Sequence, residues 1–189
     1  LQKLGNCFNQ RYGHITTWAQ TRQMDEAQRE HFLRRFTTQS QGIGFAVLGG
    51  AFAEGIDLPG ARLIGAFIAT LGLPQVNAVN EEIKTRMSAY FETQGDTADK
   101  AYNYTYLYPG LQKVVQAAGR VIRTPEDTGV IYLMDDRFAQ VEVQKLLPAW
   151  WRINEIAQFL PEKADAVPKS EFSRVKSPSS PINMGAISY

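Results

Sequence analysis

The stretch Gly44-Phe-Ala-Val-Leu-Gly-Gly50 joins a short apolar run to a pair of glycines. A continuous apolar run of this length, bounded by glycine, is typical of a strand that is covered on both faces of a sheet. Similar apolar runs occupy residues 63–71 and 129–134, and helix-like segments occupy residues 76–91 and 109–122. Strands that alternate with helices predict a three-layer α/β domain with a mostly parallel sheet.

The two ends of the chain extend this pattern. Apolar spacing and turn residues predict a helix over residues 1–13, a strand over 14–18, a helix capped by Asp25, and terminal helices over 138–151 and 153–160. From residue 161 onward, proline and serine become frequent. This composition predicts a flexible C-terminal tail over residues 161–189.

Composition excludes several classes of protein. The 189 residues include 20 Lys plus Arg and 19 Asp plus Glu, so the net charge is +1 and a broadly basic nucleic-acid coat is excluded, although a local basic patch is not. Cys7 is the one cysteine, so the chain cannot form an internal disulfide, a cysteine-based zinc site or an iron–sulfur cluster of its own. No stretch has the length and apolar character of a membrane span.

A glycine-rich segment follows the predicted strand at residues 44–48. We call residues 49–60 the glycine loop; it reads Gly-Gly-Ala-Phe-Ala-Glu-Gly-Ile-Asp-Leu-Pro-Gly. Ligands of open α/β sheets lie beyond the carboxyl ends of the strands, and glycines let a ligand approach the backbone. Glu54 and Asp57 place two carboxylates in this loop. An exposed acidic turn without a ligand is the commoner outcome for such a loop taken alone.

A second group of polar residues lies on the predicted helix at residues 109–122. Lys113, Gln116, Arg120 and Arg123 follow one another at spacings of three, four and three, so they share one helical stripe. Gly119 leaves room for a neighbour, and arginine offers forked donors to phosphate oxygens. Spacing alone favours a solvated basic face.

Two motifs together suggest a family. Gln116-Ala-Ala-Gly-Arg-Val-Ile-Arg123 resembles motif VI of superfamily 2 helicases, Q-x-x-G-R-x-x-R, and Gly49-Gly-Ala-Phe-Ala-Glu-Gly-Ile-Asp-Leu58 resembles motif V of the DinG/XPD-type branch. Asp135-Asp-Arg-Phe138, after the strand at 129–134, is similar to that branch as well. The stretch Tyr106-Leu-Tyr-Pro-Gly-Leu-Gln-Lys113 resembles bacterial members, which implies a bacterial, cytoplasmic protein. The resemblance covers roughly residues 18–151 and implies the second RecA-like (P-loop NTPase-like) motor domain.

The resemblance implies an ATP-dependent DNA helicase of 5′-to-3′ polarity. ATP would bind between two RecA-like domains, with ATP and Mg²⁺ held mainly by the first motor domain of the same parent chain. By this resemblance, Arg123 is the arginine finger and Arg120 supports the γ-phosphate or its neighbouring acid, while Gln116 links the nucleotide to the DNA side. The implied ATP-binding residues are Gln116, Gly119, Glu54, Gly55 and Asp57.

The implied partner is single-stranded DNA. Gln20, Thr21 and Arg22 follow a predicted strand, in a region that faces the DNA backbone in the family. Gly50 and Phe52 of the glycine loop complete the predicted DNA-binding set. An ordinary surface loop at residues 20–22 is nearly as frequent an outcome.

The sequence also departs from the helicase pattern. It contains neither Gly-x-x-x-x-Gly-Lys-Ser/Thr nor Asp-Glu-x-His, the motifs that hold the triphosphate and Mg²⁺. We therefore expect residues 1–160 to be an N-terminally incomplete second motor domain that does not hydrolyse ATP alone. An iron–sulfur cluster, which needs four cysteines, could belong only to the parent protein.

One alternative is a non-catalytic RecA-like module that binds nucleic acid or a protein partner. The intact Gln116, Arg120 and Arg123 argue against such degeneration. A nuclease-associated or mobile-element helicase is not distinguished from a repair helicase by these motifs.

Overall fold

A computed structural model describes residues 1–21, 23–50, 58, 60–97, 99–124, 127–155 and 183–186. In chain order its elements are α1 (Gln2–Arg11), β1 (Thr17–Ala19), α2 (Glu26–Arg34), β2 (Ile43–Phe45), β3 (Gly65–Ile68), α3 (Ala78–Thr93), α4 (Asp99–Tyr102), α5 (Tyr108–Ala118), β4 (Val130–Leu133), α6 (Val141–Gln144), β5 (Arg152–Glu155) and β6 (Asn183–Ala186). A π-helical segment, Asn103–Leu107, joins α4 to α5, and 3₁₀ turns occupy Gly60–Arg62 and Asp136–Ala139.

The described strands form two sheets. β1 and β2 pair in parallel, with Thr17 opposite Ile43 and Ala19 opposite Phe45. The larger sheet has the order β3-β4-β6-β5, and each of its described pairings is parallel. The described part of the chain is therefore a mixed α/β structure with parallel sheets, which confirms the predicted α/β class and strand direction.

The main core lies between α5 and the larger sheet. Val114 of α5 is fully buried, as are Ile131 and Leu133 of β4. Phe138 and Leu71, in the segments that follow β4 and β3, are buried as deeply. Because β4 alternates buried and half-buried residues, one of its faces supplies this core.

A smaller aromatic cluster covers β1 and β2. Trp18 of β1 packs edge-on against Phe36 at a ring distance of 4.9 Å and contacts Phe32 of α2. A Cβ atom on Gly44 would lie 2.5 Å from Cζ of Phe36. Only glycine fits at this point of β2, so the residue serves packing rather than a turn.

The start of α2 agrees with the sequence prediction. The carboxylate of Asp25 accepts a hydrogen bond from the backbone N–H of Gln28 at 2.8 Å. The Gln28 side chain accepts one in return from the backbone N–H of Asp25 at 3.0 Å. This reciprocal capping box satisfies two backbone donors that would otherwise lack partners inside the helix.

Three predicted elements end earlier than expected. The strands predicted at 44–48 and 63–71 correspond to Ile43–Phe45 and Gly65–Ile68, the residues of these segments that have ladder partners within the described part of the chain. The helix predicted over 109–122 ends at Ala118. After Gly119, the N–H of Arg120 bonds the carbonyl of Ala117, an i to i−3 bond that tightens the chain into a turn.

The prediction for the C-terminal part was wrong in its helices. Residues 138–151 contain only the end of a 3₁₀ turn and the four-residue helix α6. Arg152–Glu155 is a strand at the start of the helix predicted over 153–160, and residues 156–160 lie outside the described part. Ile153 packs on the core whereas Arg152 and Asn154 are exposed, which is the two-residue period of a strand. Residues 183–186, within the predicted tail, form β6 between β4 and β5.

Candidate nucleotide and nucleic-acid site

The residues of the motif VI resemblance lie at the C-terminal end of α5. Gln116 is exposed in the last turn of the helix. Gly119 directly follows Ala118, the last residue of the helix. Arg120 is half-buried and Arg123 is exposed. Since the helix ends at Ala118, the two arginines extend from the turn beyond it rather than from the single helical stripe that the spacing predicted.

The backbone at Arg123 is held by a residue that the sequence analysis missed. One carboxylate oxygen of Asp127, Oδ2, accepts hydrogen bonds from the N–H groups of Arg123 and Thr124, both at 2.9 Å. These two donors lower the pKa of Asp127 below its ordinary value. The sequence did contain a signal for this role, an aspartate four positions after Arg123, because Asp side chains commonly accept hydrogen bonds from backbone N–H groups in turns.

The predicted DNA-side residues Gln20 and Gly50 come together at the carboxyl ends of β1 and β2. The backbone N–H of Gln20 donates to the carbonyl of Phe45 at 2.8 Å, and its side-chain Oε1 accepts from the N–H of Val47 at 2.9 Å. A Cβ atom on Gly50 would lie 3.5 Å from Nε2 of Gln20. Thr21 follows and is exposed.

The start of the glycine loop also contacts α5. Gly49 has a φ of +75°, a conformation that side chains disfavour. A Cβ atom at Gly49 would lie 2.8 Å from Cδ and 3.4 Å from Nζ of Lys113 on α5. The two groups predicted separately from the sequence therefore meet at Gly49 and Lys113.

The helicase C-terminal domain family model matches residues 1–154. The chain belongs to this family. It is 33% identical to the ATP-dependent DNA helicase chl-1 of Caenorhabditis elegans over 121 residues, which cover 64% of this chain and 14% of that protein. It is 32% identical to the ATP-dependent DNA helicase DDX11 of Mus musculus over 109 residues, 57% of this chain and 12% of that protein.

An archaeal protein is similar as well. The probable ATP-dependent helicase MJ0942 of Methanocaldococcus jannaschii is 34% identical over 98 residues, 51% of this chain and 15% of that protein. The chain thus spans between 12% and 15% of the length of these relatives. The matches confirm the predicted membership of the DinG/XPD-type branch. The matches come from eukaryotes and an archaeon, and so give no support to the predicted bacterial source.

The remaining predicted site residues of this helicase C-terminal domain lie outside the described part. They are Arg22, Phe52, Glu54, Gly55 and Asp57. None of the helices in the described ranges is both long and apolar enough to cross a membrane.

A charged pair follows β4 in the helicase C-terminal domain. The carboxylate of Asp135 accepts from Nε and Nη2 of Arg137 at 2.8 and 2.7 Å, and from the Arg137 backbone N–H at 3.1 Å. This fork lowers the pKa of Asp135 and raises that of Arg137. The pair fixes the turn that carries the buried Phe138.

Proposed function

We propose that this chain is the second RecA-like motor domain of an ATP-dependent DNA helicase. One observation carries the proposal: the helix of the motif VI resemblance contacts the start of the glycine loop, at Lys113 and Gly49. Residue 50 of the same loop contacts Gln20 beyond β1. The start of the glycine loop thus lies between α5 and the residue after β1, an arrangement suited to relating a nucleotide to a DNA strand.

Arg123 is proposed as the arginine finger and Arg120 as its supporting residue. Arg123 is exposed while its backbone is bonded to Asp127, so a guanidinium could reach a site on another domain from a fixed base. ATP supplies a γ-phosphoryl group whose transition state gains negative charge. A guanidinium placed there is worth about 10³–10⁵ in rate. Arginine side chains fit this role because they stay protonated and offer forked donors.

The nucleotide side of the proposal includes Gln116 and Gly119, together with Glu54, Gly55 and Asp57. Most contacts to the triphosphate and Mg²⁺ are assigned to the first motor domain of the parent protein, since this sequence has no P-loop pattern. For the same reason, we expect the 189-residue chain alone to show no ATP turnover. Any iron–sulfur cluster would likewise belong to that parent.

The DNA side comprises Gln20, Thr21, Arg22, Gly50 and Phe52. Gln20 and Gly50 lie together beyond the carboxyl ends of β1 and β2, the usual place for a ligand in a parallel sheet. The proposal also includes a three-layer RecA-like arrangement of the complete domain and 5′-to-3′ movement of the full-length protein on single-stranded DNA.

Strand displacement by the full-length protein tests the function. The substrates are one duplex with a 5′ single-stranded tail and the same duplex with a 3′ tail, each with ATP and Mg²⁺. We expect unwinding of the 5′-tailed duplex and none of the 3′-tailed one. DNA binding without ATP turnover would instead indicate a non-catalytic module, and unwinding from the 3′ tail would contradict the polarity.

A further inference from the structure

Lys113 lies where α5 meets the start of the glycine loop, and none of the described residues offers it an anionic partner. Its side chain is half-buried and runs along Gly49, with Cδ, Cε and Nζ all within 3.4 Å of where a Cβ atom would stand. Within the part of the chain that the structure describes, its ammonium group makes no hydrogen bond or ion pair. A positive charge in this half-buried position beside the backbone of Gly49 suits an anionic ligand.

A second donor faces the next residue of the same loop. The side-chain oxygen of Gln20 accepts a hydrogen bond from the N–H of Val47. This bond orients the side-chain amide so that its NH₂ group lies beside Gly50. Lys113 and Gln20 thus place a donor beside each of two consecutive glycines, Gly49 and Gly50. Amide and ammonium donors on bare backbone suit a phosphate, which has several acceptor oxygens and a negative charge.

Lys113 lies on α5 one turn before Gln116, the proposed nucleotide residue that is nearest to it along the helix. Lys113 lies five residues before the helix ends at Ala118, which is roughly 7.5 Å along the axis at about 1.5 Å per residue. Arg120 and Arg123 lie beyond that end. Because Gly49 adjoins Gly50, which lies beside Gln20 on the proposed DNA side, a nucleic-acid backbone is the expected source of a phosphate at Lys113.

We propose that Lys113, with Gln20, binds one phosphodiester of single-stranded DNA. This inference rests on the proposed function and adds a residue to it: the helix of the motif VI resemblance contacts DNA directly, through a side chain one turn before Gln116. A shift of α5 would then move the DNA contact and the nucleotide residues together.

Equilibrium binding of a fluorescent oligo-dT strand to the full-length protein tests the proposal over a range of salt concentrations. Lys113→Met is compared with Lys113→Arg and with Lys145→Met, a control at an exposed lysine in the segment after α6. Loss of one phosphate contact makes the negative slope of log K for binding against log salt concentration less steep by about 0.7. It weakens binding roughly eightfold at 0.05 M salt. We expect both changes for Lys113→Met, with the KM for ATP unchanged, and neither for Lys145→Met or Lys113→Arg.

Several outcomes would overturn the proposal. An unchanged salt slope for Lys113→Met would do so, as would a raised KM for ATP with normal DNA binding, which would assign the phosphate to the nucleotide. A lower melting temperature with unchanged DNA affinity would show that Lys113 is structural. If the unmodified protein neither binds single-stranded DNA nor hydrolyses ATP, the proposed function itself fails; if it does both and Lys113→Met is normal, only this inference fails.

Discussion

The phenol of Tyr106 donates a hydrogen bond of 2.6 Å to Oε1 of Glu81. Tyr106 is a buried residue of the π-helical segment just before α5, and Glu81 lies in the first turn of α3. The other oxygen of Glu81 accepts from Nζ of Lys84 at 2.5 Å. This bond joins α3 to the chain that leads into α5, and so fixes the helix on which the proposed site depends.

The Tyr106–Glu81 bond predicts a loss of stability at high pH. Hydrogen bonding to Glu81, with burial, raises the pKa of Tyr106 from 10.0 to about 12. Because the folded-state pKa lies above the unfolded one, the stabilisation is complete below pH 10 and is lost as the pH rises toward 12. We expect Tyr106→Phe to melt at a lower temperature than the unmodified chain at neutral pH, and this difference to shrink between pH 10 and 12.

Thermal melts over that pH range, followed by circular dichroism, measure the effect. The matched control is Tyr90→Phe, because Tyr90 is 62% exposed and its hydroxyl has no hydrogen-bond partner among the described residues. A difference between Tyr106→Phe and the unmodified chain that stays constant up to pH 12 would contradict the prediction, because ionisation of Tyr106 would then not weaken the folded state.

Gly110 is predicted to be irreplaceable because of its close packing. A Cβ atom there would lie 2.7 Å from the carbonyl oxygen of Leu71 and 3.1 Å from Cα of Leu73, both backbone atoms that cannot rotate away. Gly110→Ala should therefore destabilise the chain by about 1–3 kcal/mol in urea unfolding. Gly5→Ala, in α1 with nothing within 4 Å of the added atom, should instead stabilise by up to about 1 kcal/mol. Equal effects at both positions would refute the packing argument.

The Asp135–Arg137 pair predicts a loss of stability in acid. Hydrogen bonds from Arg137 hold the pKa of Asp135 below 3.8, so its contribution is present above that pH and is lost as the pH falls through the lower folded-state pKa. Asp135→Asn removes the charge and weakens the cap of the 3₁₀ turn, at a cost of about 1–2 kcal/mol near neutral pH. Chemical denaturation of the variant and of the unmodified chain measures this difference in the free energy of unfolding.

Asp96→Asn is the control for that experiment. Asp96 also forms an ion pair, with Lys100 at 2.5 Å, but both side chains are exposed. Exposed pairs contribute about 0–1 kcal/mol, so this variant should stay close to the unmodified chain. A larger loss for Asp96→Asn than for Asp135→Asn would contradict the ranking.

The sequence predicted the elements whose signals are local. The helix cap at Asp25 and the amphipathic pattern of α5 need only neighbouring residues, and both helices exist. The strand Arg152–Glu155 was missed because β5 depends on pairing with residues 183–186, far along the chain. The π-helical segment before α5 has no comparable sequence signal.

The sequence supplied candidate site residues, whose roles stay predictions, but it did not supply their contacts. The motif resemblances selected Gln116, Arg120 and Arg123, whereas the contact of Lys113 with Gly49 arises from the packing of α5 beside the end of β2. Asp127 was missed because its role is to bond the backbone of Arg123, which no helicase motif in the sequence specifies. The sequence motifs indicate which residues could bind a ligand, whereas tertiary packing determines which of them lie close together.

The most direct test of the central claim is DNA-stimulated ATP turnover by the full-length protein carrying Arg123→Ala. The control is Arg34→Ala, an exposed arginine on α2 that pairs with Glu30 at 2.7 Å. We predict that Arg123→Ala lowers kcat by about 10³ or more while ATP binding is largely kept, because the finger acts on the transition state. Arg34→Ala should leave turnover unchanged. Full turnover by the Arg123→Ala protein would contradict the account of this domain as the one that supplies the arginine finger.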